Sequence, residues 1–145
     1  MLKPFITLAA AALLVSACAP AAQKAQTPAP SVTLAQAADA AVTARGTFVG
    51  KSKHVTTGHA AIGRVGTQWV VILEDDFTFD GAPDPHVALG NNGYNKDARL
   101  ALLSSNSGKQ VYAIPAGLDV AQFNEIWIWC KKFSVPLGVA TLSLT

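Results

Sequence analysis

The chain has 145 residues, which leaves room for one domain of ordinary size. Eleven Lys and Arg against nine Asp and Glu give a formal net charge of +2, with no clustered run of basic side chains. Nucleic-acid binding, which displaces counterions through such a stripe, is therefore not expected.

The N-terminus carries one positive charge, Lys3, then an apolar run from Phe5 to Val15, then Ser16-Ala17-Cys18. That three-part order is the pattern of a secretory signal. The run spans eleven residues, well short of the roughly 20 that a membrane-spanning helix needs. Val15-Ser16-Ala17-Cys18 resembles the lipobox of bacterial lipoproteins. The resemblance implies cleavage before Cys18, a diacylglycerol on its sulfur and a further acyl chain, such as palmitate, on its amine. Two or more chains anchor stably where one is marginal. Ala19 in place of an Asp after the Cys implies delivery to the outer membrane, facing the periplasm. Residues 1–17 are thus read as signal peptide and residues 18–44 as a lipidated, mostly disordered tether, with the membrane as first partner. The tether's Ala, Gln, Pro, Thr and Ser bury too little surface to offset the entropy of ordering, although its alanines allow a helical turn or two after Ser31.

From residue 45 to residue 145 the pattern changes to short apolar and β-branched runs punctuated by Gly, Pro, Asn and Asp. Strands are expected at Gly46–Lys51, His54–Val65, Thr67–Glu74, His86–Leu89, Val111–Pro115, Glu125–Phe133 and Gly138–Leu144. Arg64-Val65-Gly66-Thr67 reads as a hairpin turn, and Asn91-Asn92-Gly93 and Asn106-Ser107-Gly108 as two further turns. Short helix is expected only at Leu100–Ser104 and Asp119–Asn124. The fold class is all-β, an antiparallel sandwich or partly closed barrel of about seven to nine short strands. On the strand from Glu125, alternation turns Ile126, Ile128 and Cys130 toward the core and Trp127 and Trp129 the other way, in a central strand covered on both sides.

With Cys18 committed to lipid, Cys130 is left without a disulfide partner in an oxidising compartment. Such a cysteine is either a functional thiol or an inert buried hydrophobe. Lys132, on the same side by alternation, would favour the thiolate, whereas apolar surroundings would oppose it.

The ordered series Gly46-Thr-Phe-Val, His54, Gly58, Ile62, Asp76-Phe-Thr-Phe-Asp80-Gly-Ala-Pro-Asp84-Pro-His-Val, Gly108-Lys-Gln-Val-Tyr112, Ile128-Trp-Cys130-Lys-Lys-Phe133 and Gly138-Val-Ala140 resembles the DM13 domain. DM13 is a β-rich extracellular module, and the likeness covers essentially the whole folded part. It implies a possible electron-transfer role, with Cys130 as a bare thiol or as ligand to a prosthetic group such as haem.

For haem, Cys130, His54, His59 or His86 are the candidate ligands, with Trp127, Trp129, Phe77 or Phe79 lining the slot. Copper wants two His and a Cys, and His54 and His59 sit five apart, on opposite faces unless Gly58 seats a bulge. The blander reading makes the histidines hydrogen-bonding surface residues. Likewise, Glu74-Asp75-Asp76, Asp80 and Asp84 fit turn formation better than a calcium loop. No Gly-x-Ser-x-Gly element or phosphate loop points to a classical enzyme. Two functions remain: an electron-transfer module centred on Cys130 with a redox partner, or a non-catalytic binding or structural module with Cys130 in its core. The first requires that the sulfur be reachable or lie near a histidine.

Overall fold

The computed structural model describes residues 31–145, so the expected signal peptide, Cys18 and the tether as far as residue 30 lie outside the described residues. In chain order the elements are α1 (Leu34–Ala37), β1 (Ala41–Gly50), β2 (Thr56–Thr57), β3 (His59–Val65), β4 (Gln68–Leu73), β5 (Thr78–Phe79), β6 (Pro85–Gly90), β7 (Tyr94–Leu102), β8 (Gln110–Ala113), a 3-10 turn at Val120–Gln122, β9 (Glu125–Cys130) and β10 (Val135–Leu144). Eight strands form one sheet in the order β7-β6-β9-β10-β1-β3-β4-β8, while β2 and β5 pair as a separate ribbon. All pairings are antiparallel.

The sheet curls into a nearly closed barrel. Its outermost strands, β7 and β8, share no ladder, and the connection between them is pinned by local bonds. The Ser104 amide donates to the Tyr112 hydroxyl at 3.0 Å, that hydroxyl donates to Gln110 Oε1 at 2.6 Å, and Gln110 Nε2 donates to the Ser105 carbonyl at 2.9 Å. Gln110 is only 6% exposed, and its amide is satisfied at both ends.

Inward alternation fills the barrel. On β9, Ile126 and Ile128 are fully buried and Cys130 is 1% exposed, while Trp127 and Trp129 face outward and are half-buried. Each isoleucine contributes about 1.5–3 kcal/mol by leaving water. One end of the barrel is plugged by the residues around the β2–β5 ribbon, where Phe77 meets Phe48 edge to face at 5.4 Å. Buried Thr56 ties that ribbon down by donating to the Leu137 carbonyl at 2.9 Å. Gly138 permits the approach, since a Cβ there would fall 2.7 Å from the Thr56 side chain.

Three expectations are corrected. Order begins well before residue 45: Thr33 caps α1 through a capping box with Gln36, and β1 starts at Ala41. Val32, Ala40 and Val42 cover a second apolar cluster, Ala61, Val70 and Ile72, on the outer face of β3 and β4. The short helix expected at Leu100–Ser104 is instead the end of β7, a strand that the polar run Asn95-Lys96-Asp97 concealed. The expected His54–Val65 strand is broken at Gly58, whose φ of +93° divides β2 from β3. Beside these, the Val65–Gln68 hairpin turn and the Asn91-Asn92-Gly93 turn stand where expected.

Candidate functional site

Strand β9 lies between β6 and β10, so its outward side chains join rows running across the sheet. Trp129 stands opposite His86 on β6 and Pro136 on β10, and Trp127 opposite Ala88 and Val139. Tyr94, from the start of β7, lays its ring on Trp129 with centroids 3.9 Å apart and planes 3° from parallel. Trp127 meets Trp129 edge to face at 6.4 Å. The Trp127 indole lies over Gly90, where a Cβ would come within 2.5 Å of Nε1. That Nε1 donates to Glu125 Oε2 at 3.0 Å, and the same carboxylate oxygen accepts the Gly93 amide at 2.7 Å. Three aromatic rings thus touch in sequence on the outer face, with a carboxylate at one end and Arg99, which donates to the Tyr94 hydroxyl at 3.4 Å, at the other.

Cys130 ends β9 on the inner face and belongs to the main hydrophobic cluster, with its sulfur sealed from solvent. Lys132, expected on its side by alternation, falls in the turn after the strand has ended, its ammonium 5.4 Å from the Phe133 ring centroid.

Each histidine is engaged by an aspartate. Asp80 accepts the Val55 amide at 3.0 Å and His54 Nδ1 at 2.9 Å. Asp76 repeats the arrangement with the His59 amide and His59 Nδ1. Between them Thr57 and Thr78 share a hydroxyl hydrogen bond of 2.7 Å. His86 Nδ1 donates to the Asp84 carbonyl at 3.2 Å. The amides of Val55 and His59, and then the imidazole rings, hold Asp80 and Asp76 below the ordinary carboxyl range. These aspartates therefore shape turns and orient rings, the blander of the two sequence readings.

The candidate ligands do not converge. His54 and His59 are bound by different aspartates, and Cys130 is in the core. Among the described residues no three His, Cys, Asp or Glu side chains are placed to hold a metal. Trp129, expected beside a cofactor, has one indole face taken by Tyr94. His59 does line a cleft of about 290 Å³ with Arg45, Glu74, Asp75 and Asp76, but that cleft is remote in character from an apolar haem slot and lacks Cys130. The residues present therefore do not fit haem or copper at Cys130. Tyr94, Arg99 and Glu125 were not legible as site residues, because nothing in sequence spacing joins Tyr94 to Trp129 until β6 and β7 pair.

The fold and this outer face define a small antiparallel β-barrel module with an aromatic array on β9, the third of the eight strands. The profile of a family described as "Electron transfer DM13" matches residues 47–142, and the chain belongs to that family. No curated protein and no solved structure matches the chain.

Proposed function

We propose that this protein is an electron-transfer module of the bacterial cell envelope, lipid-anchored through Cys18 at the outer membrane, in which electrons pass along the outer face of β9. Family membership supports the redox role. The observation that carries the route is the contact series Tyr94–Trp129–Trp127, whose first pair overlaps at 3.9 Å. Overlapping rings couple electronically, and Glu125 stands ready beside the indole N–H. When a high-potential one-electron oxidant takes an electron from Trp127, the acidified N–H passes its proton to Glu125. The vacancy is then refilled through Trp129 and Tyr94 by a one-electron donor, and Glu125 returns the proton to the Trp127 indole nitrogen.

Cys130 does not meet the condition set by the sequence reading, since its sulfur is buried in a cluster that holds no histidine, and an electron-transfer centre at Cys130 is dropped. Thiol–disulfide exchange needs direct approach to the sulfur, which its burial denies. Its contribution is to packing beneath Trp129. That same burial favours a second reading, a non-catalytic module that uses the aromatic face to bind a partner or glycan.

Oxidation of the full chain by hexachloroiridate(IV), followed by loss of the reagent's colour, separates the two. Under the redox reading Trp129→Leu and Tyr94→Phe slow the reaction while Cys130→Ala leaves it unchanged. A rate indifferent to Trp129 and Tyr94 but dependent on Cys130 would overturn the proposed route. A visible band with bound metal in protein purified from its native envelope would return the centre to a prosthetic group. Cys18→Ala, by abolishing palmitate labelling and membrane retention, tests the anchor.

A further inference from the structure

Topology gathers what the sequence scatters. Strand β1 ends at Gly50, opposite Gly138 of β10, and the Lys51 amide donates to the Leu137 carbonyl at 2.9 Å. The turn before β2 is thereby set beside the turn between β9 and β10. The first presents Lys51 and Lys53; the second presents Lys131, Lys132 and Phe133. All four lysines are exposed, and among the described residues none has an acidic partner within ion-pair distance. Asp84, whose carbonyl accepts the Lys131 amide, and Asp80, whose carboxylate accepts the Val55 amide, are engaged by His86 and His54. Phe133 is 59% exposed and Val55 likewise, at the same end of the barrel.

Both turns are held in shape. The His54 amide donates to the Lys51 carbonyl at 2.8 Å, and the Lys131 amide to the Asp84 carbonyl at 3.0 Å. Ser52, Lys53 and Ser134 have φ of 52°, 66° and 52°, so three of the four left-handed non-glycine residues described lie in these two turns. Such conformations are uncommon for side-chain-bearing residues and persist only where surroundings impose them.

We propose that this end of the barrel, Lys51, Lys53, Lys131, Lys132 and Phe133, is the docking face for an acidic one-electron carrier protein. Four exposed lysines on two adjoining turns, with the Lys132 ammonium 5.4 Å from the exposed Phe133 ring, match an acidic surface with an apolar spot, and such charge complementarity speeds encounter. A uniformly anionic bilayer fits less well, because Asp80 and Asp84 interrupt the basic surface. The turn follows directly on Trp129 and Cys130, so a partner seated there lies at the end of β9. The identity of the partner as a carrier rests on the redox reading; the surface itself does not.

The test uses the isotopically labelled full chain in neutral micelles, titrated with a plant-type [2Fe–2S] ferredoxin as acidic probe, and separately with phosphatidylglycerol vesicles. Ferredoxin should shift the amide resonances of residues 51–55 and 131–134, with affinity falling roughly tenfold from low to physiological ionic strength. The Lys→Gln quartet at 51, 53, 131 and 132 should lose the shifts with an unchanged spectrum elsewhere. Should the quartet misfold, Phe133→Ser and a Lys→Arg quartet replace it, the first weakening and the second keeping the interaction. No shift, or shifts confined to another face, overturns the proposal, as does a response to vesicles without one to ferredoxin. A plant-type ferredoxin has a potential far too low to oxidise an indole, so its docking reports on the surface alone, and the hexachloroiridate(IV) reaction reports on the redox reading.

Discussion

The rings of Tyr94 and Trp129 lie parallel, 3.9 Å between centroids, although 35 positions separate them in the chain. The contact exists because β6 pairs with both β7 and β9, so that the first residue of β7 reaches over β9. Aromatic pairs of this kind contribute about 0.5–1.5 kcal/mol beyond burial. Tyr94→Leu should lower stability by about 1 kcal/mol and shift tryptophan emission to the red as Trp129 gains water. Unchanged emission would show that the stack does not persist in solution.

Cys130 is predicted to be silent toward a thiol reagent in the folded chain and to react stoichiometrically after denaturation. Cys130→Ser puts a hydroxyl into an apolar cluster and should cost about 1–3 kcal/mol in chemical denaturation. A thiol that reacts at native rates would contradict the sealed position.

The paired clamps Asp76 and Asp80 predict the acid limb of stability. Their carboxyls are held below the ordinary 3.8, first by the His59 and Val55 amides and then by the rings. A depressed carboxyl adds stability that is fully present above its unfolded pKa and is lost as pH falls through the folded value. Stability should therefore fall as pH drops through and below the ordinary carboxyl value, and Asp76→Asn with Asp80→Asn should flatten that fall. Urea melts across this range check it, and an unaltered slope in the double variant would contradict it.

Gly138→Ala would force a methyl to 2.7 Å from the Thr56 side chain, which is 1% exposed and has little room to yield. A loss of about 1–3 kcal/mol is expected, with thermal melting as the measurement. Gly66→Ala makes a contrast: no atom stands within 4 Å of its Cβ position, so only its φ of +59° resists substitution.

The period-two pattern of Glu125–Cys130 made β9 readable, because apolar-in and aromatic-out alternate there without interruption. The turns were readable from Gly66 and Gly93, which supply positive φ. What stayed hidden depended on pairing. β7 carries Lys96 and Asp97 on exposed positions and has register shifts against β6, so no clean alternation marks it. Residues 31–44 resemble a tether in composition, yet Val32, Ala40 and Val42 find cover on β3 and β4. The lysine tip was invisible for the same reason, since its members come from two turns 80 positions apart, Lys51 and Lys131.

The central claim, that electrons cross the surface through Trp127, Trp129 and Tyr94, is tested most directly by laser flash oxidation of the full chain with a soluble ruthenium sensitiser. The account predicts a tryptophanyl radical that decays as a tyrosyl radical rises, with Tyr94→Phe leaving the charge on tryptophan and Cys130→Ala changing neither phase. A tyrosyl signal that survives in Tyr94→Phe, or a sequence abolished by Cys130→Ala, would contradict it.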